Sequence, residues 1–413
     1  SASSLLVLVS SAGKSERIAR QLVDATASLR VRLPLSLDSQ MGPVVVPDDE
    51  KAVRGLTTLG VGEHWVLKPR YLGDGLWTPG IRAGVVPGSE FHLTEYFAPV
   101  IGVMRVDTLE EAIEAVNAVD YGLTSGLQTL DAAELAVWLD SIQAGNIYVN
   151  RGITGAIVRR QPFGGWKRSA IGSTTKAGGP SYLLGLGDIE PADGQGVKEL
   201  ADQGTAALDP RVASLCDAVS GQLGEADLAG LRRALVADAS AWRSAYGANR
   251  DVTALACERN VLRYRPTDVV VRAGAGTELA DIVRVMAAGV RAGGFVSLSV
   301  ADRLPQPLQN ALQAAGVQVA VEDQGAWDAR LAELAASGGL GTRVRILGPR
   351  EETSAARWSH ASRVTGGSPD IALYTGAVTA CPHSELLPFL REQAVAITNH
   401  RFGTPLDLAE GLL

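Results

Sequence analysis

The chain has 413 residues, with 38 lysines and arginines against 45 aspartates and glutamates, for a formal net charge of −7. Its 46% hydrophobic and 20% charged content is that of an ordinary globular protein, and the length allows two domains. The charge and the lack of a basic stripe exclude a nucleic-acid footprint. No apolar run approaches the roughly 18 residues needed to cross a membrane.

The opening residues, SASSLLVLV, place a β-prone apolar run at Leu5 to Val9. It is too short, and lacks the basic flank, to be a signal peptide. A helix is expected from about Lys14 to Leu29. His64 follows Gly62-Glu63 and precedes Trp65, and a lone histidine beside a tryptophan reads as structural. Trp77-Thr78-Pro79-Gly80 reads as a turn before a strand at Ala83 to Val86. Thr108-Leu109-Glu110-Glu111 has the form of a capping box opening an amphipathic helix. A second helix at about Ala132 to Ser141 then leads into a strand from Asn146 to Val149, the alternation of a parallel α/β sheet.

From Gly145 to Pro180 glycines crowd together, yet Ile153, Ile157, Val158, Phe163 and Trp166 are interleaved and need burial. An ordered loop is predicted rather than a flexible linker. Between Gly187 and Ala206 the hydrophobic pattern is lost, which marks a domain boundary. Beyond it strands are expected at Asp268 to Arg272, Phe295 to Val300, Gln318 to Val321 and Val344 to Leu347. Helices at Leu279 to Arg291, Pro307 to Ala315 and Trp327 to Ala336 separate them, a doubly wound plan. Gly274-Ala275-Gly276 sits where a phosphate-binding loop would lie, but Leu279 stands at the place of the third glycine. A final strand is expected at Ala394 to Thr398, and His400-Arg401 reads as structural. The segment from Glu385 to Pro405 is expected to reach back to the first 188 residues, because its apolar strand needs a partner.

The run NRGITGAIVRRQPFGGWKRSAIG with the subsequent KAGGPSYL resembles the end of an aldehyde dehydrogenase catalytic domain. TEYFAPVIGVMRVDTLEEAIEAVNAVDYGLTSGL is similar to the superfamily's E-x-F-G-P-V segment and the helix after it, with Ala98 in place of the usual glycine. Within the superfamily the match is to the branch that oxidises L-glutamate γ-semialdehyde (1-pyrroline-5-carboxylate dehydrogenases) in proline catabolism. The residues after 188 resemble the C-terminal extension of the longer proline utilisation A proteins.

The resemblance implies an α/β fold class: the C-terminal part of an aldehyde dehydrogenase catalytic domain plus a second Rossmann-like doubly wound domain. The expected divisions are 1–188 for the catalytic portion, 189–206 for a linker and 207–413 for the second domain. It also implies NAD as cofactor, with Glu95 on the nicotinamide ribose hydroxyls and Phe97 against the nicotinamide ring. Gly155 and Ala156 would anchor the substrate's α-carboxylate through their backbone amides, helped by the Ser1 hydroxyl, while Phe163 packs on the methylene chain. No metal site is expected. The nucleophilic cysteine belongs one position before Ser1, so no catalytic residue is expected in this chain and the chain alone is expected to be inactive. Cys216, Cys257 and Cys381 lie too far apart for a disulfide framework, and none fits the nucleophile's place. The implied partners are a small-molecule substrate, an upstream half of the same enzyme and further copies in a homo-oligomer. FAD enters only if a proline dehydrogenase region lies upstream, and the cysteine usage suits the cytoplasm. Two other readings stay open: another semialdehyde dehydrogenase, or a non-catalytic assembly or lid module that kept the fold. Adjacent Arg159 and Arg160 are the fallback carboxylate ligands.

Overall fold

A computed structural model describes residues 3–173, 175–187, 189 and 208–413. Ser1 and nearly all of the expected 189–206 linker lie outside these residues. The chain divides into two compact units: Ser1–Asp120 with Thr129–Gln143, and Tyr121–Gln128 with Ala144–Leu413.

The first unit is built on a four-stranded sheet. Strand β1 (Leu5–Val9) lies parallel to β4 (Val100–Val106), β4 is parallel to β3 (Gly80–Val85), and β2 (His64–Leu67) runs antiparallel at the edge. Met104 and Ile81 are fully buried within it. The expected long first helix is shorter, Glu16–Ala27, because Ser10–Lys14 closes a tighter 3-10 turn and Ser15 then caps the helix. The capping box at Thr108 and Glu111 forms as expected, and opens the helix Leu109–Asn117. That helix packs on Ala132–Ser141, with Asn117 bonding the Ser141 carbonyl at 2.9 Å and the Gln143 amide at 2.9 Å.

Arg82 of β3 is buried in this unit. Its guanidinium lies 4.1 Å from the Phe91 ring centre and 5.0 Å from that of Trp65. It bonds Glu63 Oε2 at 2.8 Å and donates to the Thr58 carbonyl at 2.9 Å and to that of Gly55. Both charged side chains are 2% exposed.

The second unit is built on two main sheets, with two further two-stranded ribbons among its described residues. One begins with β5 (Thr124–Leu127) and β6 (Asn146–Val149), which pair in parallel. After them in the chain comes a long strand, β7 (Glu258–Pro266), that no alternation in the sequence announces. The other sheet has five parallel strands: β8 (Val269–Ala273), β9 (Val296–Val300), β10 (Gln318–Val321), β11 (Thr342–Leu347) and β12 (Ile371–Tyr374). Their order is β10-β9-β8-β11-β12, the doubly wound plan read from the sequence. The helix Leu279–Ala292 between β8 and β9 is buried on almost every side, from Ile282 to Val290. Arg284 within it forms a two-pronged ion pair with buried Asp238, at 2.6 and 2.9 Å.

The last long strand, β13 (Leu390–Thr398), joins the first of these sheets, whose order is β7-β13-β6-β5. It pairs antiparallel with all of β7 and parallel with β6, Ala394 opposite Asn146 through Ile397 opposite Val149. The contact expected between the 385–405 segment and the first 188 residues is therefore present as backbone pairing. Val395, Ala396 and Ile397 are fully buried there.

Candidate functional site

Strand β6 delivers the chain to the candidate loop. All four of its residues are buried, and Asn150 turns it off in the left-handed region at φ +56°. Asn146, fully buried, fixes the loop's return: its amide donates to the Pro162 carbonyl at 3.0 Å and its Oδ1 accepts from the Gly164 amide at 3.1 Å. Just before it, any side chain at Gly145 would collide with the Gly164 carbonyl, which explains the glycine. Phe163 and Ala177 exchange two backbone hydrogen bonds of 2.9 Å, closing the loop.

Inside that frame, Gln161 is 2% exposed and bonds Glu258 at 2.8 Å and also Asn260, both on β7. Glu258 further pairs with Arg151. The loop is thus ordered, as predicted, but by polar ties more than by apolar burial. Ile157 and Val158, expected to be buried, are 51% and 70% exposed, because the turn at their position stands out from the frame.

The two proposed anchor residues sit on this outstanding part. Gly155 has φ +80° and Ala156 comes next; both are exposed. Neither backbone amide donates to an acceptor among the described residues, whereas the amide of Ile157 is held by Gln161 Oε1 at 3.1 Å. Successive free amides at a left-handed glycine are the backbone element from which an anion-binding concavity can be made. Phe163, half-buried, lies eight positions along the same loop. Arg159 and Arg160 are exposed.

Glu95 and Phe97 share a segment of the first unit. Between them Tyr96 is the anchor: 5% exposed, stacked on Phe91 at 5.2 Å and donating its hydroxyl to Glu90 at 3.1 Å. With Tyr96 turned in, its neighbours are turned out. Glu95 is exposed, and no described residue donates to its carboxylate. Phe97 is 68% exposed at φ +51°, with the Lys51 ammonium 5.4 Å from its ring centre. An aromatic residue held outward on a left-handed backbone costs about 1 kcal/mol or more, which the Lys51 contact offsets at most in part. An acceptor-only carboxylate and an exposed ring are the kinds of group that ribose hydroxyls and a flat heterocycle can use.

Sequence reasoning did not anticipate Lys176. It is 3% exposed and donates to Asn146 Oδ1 at 2.8 Å and to the Gly164 carbonyl, so it locks the same turn as Asn146. Burial lowers its pKa from 10.5 to about 7, with Glu392 acting in the opposite sense. Between about pH 7 and 10.5 the unfolded lysine holds a proton that the folded one has lost. Stability should therefore rise with pH across this window, and Lys176→Met should flatten the rise. Urea midpoints of both proteins at pH 7 and 9.5 measure it, and an equal slope in the variant would refute it.

The Gly274-Ala275-Gly276 loop is occupied by the protein itself: the Gly276 amide donates to Asp302 at 3.1 Å and Thr277 Oγ1 to the Gly274 carbonyl at 2.7 Å. His64 is exposed on the edge strand, and no group of metal-ligating side chains occurs among the described residues.

Residues 1–184 match the aldehyde dehydrogenase family. Among relatives, a 1-pyrroline-5-carboxylate dehydrogenase of Bacillus subtilis is 33% identical over 172 residues, covering 41% of this chain and 33% of its own. The bifunctional protein PutA of Rhizobium meliloti is 29% identical over 292 residues, 69% of this chain and 22% of its own. The solved structure of proline utilization A from Corynebacterium freiburgense superimposes with a TM-score of 0.76 at 36% identity, covering 97% of this chain and 36% of that one. The chain thus spans about a third of the length of these relatives, or less.

Proposed function

We propose that residues 1–188 are the C-terminal portion of an NAD-dependent L-glutamate γ-semialdehyde dehydrogenase acting in proline catabolism, and that 207–413 form a second domain joined by a 189–206 linker. The observation that carries this reading is the pair of unengaged, exposed amides at Gly155 and Ala156. The substrate has an α-carboxylate at the end opposite its aldehyde, so one fixed anion site sets the depth of the reacting carbon. Backbone amides supply that site without burying an unpaired cation. Phe163 lies along the methylene chain, and the Ser1 hydroxyl adds a hydrogen bond.

Glu95 accepts from the nicotinamide ribose hydroxyls and Phe97 presents its exposed face to the nicotinamide. NAD, when bound, accepts the hydride. In this class of reaction a thiolate attacks the aldehyde. The three cysteines within the chain do not serve: Cys216 is 3% exposed with its thiol pushed up by burial, and Cys257 and Cys381 come after the linker. The second domain closes a wall beside the substrate route and was retained for shape, since Asp302 already fills its glycine loop. The enzyme would work in the cytoplasm as a homo-oligomer, with FAD only where a proline dehydrogenase region precedes it. No described helix is long and apolar enough to cross a membrane.

The test is a steady-state assay of the complete enzyme. NADH should form faster from L-glutamate γ-semialdehyde than from a semialdehyde lacking the α-amino acid end. Equal turnover of both would favour the reading as another semialdehyde dehydrogenase.

A further inference from the structure

A cavity of about 570 Å³ opens within the second unit, walled by the Gly164–Lys176 stretch on one side and by β11, β12 and the start of β13 on the other. Two guanidiniums on its wall stand out. Arg343 of β11 donates one nitrogen to the carbonyls of Leu387, Pro388 and Leu390, at 2.9, 3.0 and 2.7 Å, and lies 5.7 Å from the Tyr374 ring centre. Arg391 of β13 donates to the Gly341 carbonyl at 3.2 Å and lies 5.9 Å from the Trp166 ring centre. Each therefore has neutral neighbours, and neither forms an ion pair among the described residues.

The carboxylates at the same wall are committed elsewhere. Asp370 pairs with Arg168 and Glu385 with Arg345. Glu392 is next to Arg391 on the strand, so it projects to the opposite face, where it accepts from the Lys176 amide at 2.8 Å. Burial and the nearby Arg343 charge lower the Arg391 pKa to about 10, against weaker opposite effects of Tyr374 and Asp268. One further wall atom, Ser384 Oγ, is buried with no hydrogen-bond partner. A roomy cavity with two uncompensated guanidiniums and an unsatisfied hydroxyl is incomplete as it stands.

We propose that this cavity binds a small dianion, a dicarboxylate or a phosphate group, held between Arg343 and Arg391. Both guanidiniums line the same cavity, each using one nitrogen in its carbonyl contacts, and two positive charges call for a doubly negative ligand. Ser384 can donate to it as well. The site is separate from the Gly155-Ala156 anchor and does not depend on the dehydrogenase reading.

Isothermal titration calorimetry of the 413-residue chain tests it, with glutarate and inorganic phosphate as separate probes at matched ionic strength. Saturable binding of at least one dianion near one-to-one is expected, and the preferred probe identifies the source. Arg391→Gln should weaken binding at least about tenfold while leaving the ligand-free melting temperature unchanged or higher, because it relieves the repulsion with Arg343. Arg391→Lys, which keeps the charge, should retain more affinity than the glutamine variant and remains informative if that variant does not fold. Absence of saturable binding by either dianion to the wild-type chain would overturn the proposal. So would unchanged affinity in both variants.

Discussion

Replacing Glu63 with alanine should destabilise the first unit by about 3–5 kcal/mol, the cost of stranding a buried cation. Arg82 would keep its carbonyl partners at Thr58 and Gly55 and its place between Phe91 and Trp65. Its charge, 2% exposed, would have nothing to neutralise it. Glu63 Oε2 also accepts from the Gly60 amide at 2.9 Å, so the turn before β2 loosens in the same change. Glu63→Gln keeps the shape and an acceptor and should cost less than the alanine. Thermal melts followed by near-ultraviolet circular dichroism, to which Trp65 contributes, would show the difference. A Glu63→Ala protein melting within about 2 °C of wild type would mean that the pair contributes nothing net, as some buried ion pairs do.

Val395→Asp should have a comparable or larger effect, about 4 kcal/mol or more, on the second unit. Val395 is fully buried in the middle of β13, opposite Val261 of β7 and Ile147 of β6, both also fully buried. An aspartate there is flanked by apolar side chains on both neighbouring strands. Protonating it lowers the cost without removing it. Because β13 lies between β7 and β6 in the sheet order, its loss would expose two strand edges at once. The expected result is an insoluble or protease-sensitive product. A soluble variant with the wild-type tryptic pattern would contradict the assigned pairing.

Elements with a regular apolar period were legible in the sequence. The strands and helices from Val269 to Leu347 alternate with clear apolar runs, and the observed ends differ from the expected ones by at most three residues. The capping box at Thr108 needed only two residue types at the right spacing. Strand β7 was hidden because its sequence, ERNVLRYRP, scatters Glu258, Arg259, Arg263 and Arg265 among its apolar residues without a regular period. Those charges are used: Arg263 bonds Gln393 at 2.9 and 2.6 Å, and Glu258 receives Gln161. Pairings between residues some 100 to 250 positions apart leave no local trace. Strand β12, Ile371–Tyr374, was likewise missed.

At the candidate site, the glycines and the resemblance were enough to single out Gly155 and Ala156. They could not indicate what keeps that turn in place. Asn146 and Lys176 belong to no periodic pattern, and a buried lysine is rare enough that composition argues against it. Their role emerges only when the loop returns and brings the Gly164 carbonyl to the Lys176 ammonium. Glu95 and Phe97 were legible through their motif, while the reason they face outward is Tyr96, the neighbour packed on Phe91.

The anchor at Gly155 and Ala156 is central to the proposed function, and its most direct measurement is the selectivity of Ala156→Asp in the complete enzyme. Aspartate there places like charge and added bulk against the α-carboxylate. For L-glutamate γ-semialdehyde, kcat/KM should fall at least about tenfold, ~1.4 kcal/mol. Propanal, which has no carboxylate, should lose much less. Equal losses for the two aldehydes, or no loss for either, would contradict the anchor, and the second outcome would move attention to Arg159 and Arg160.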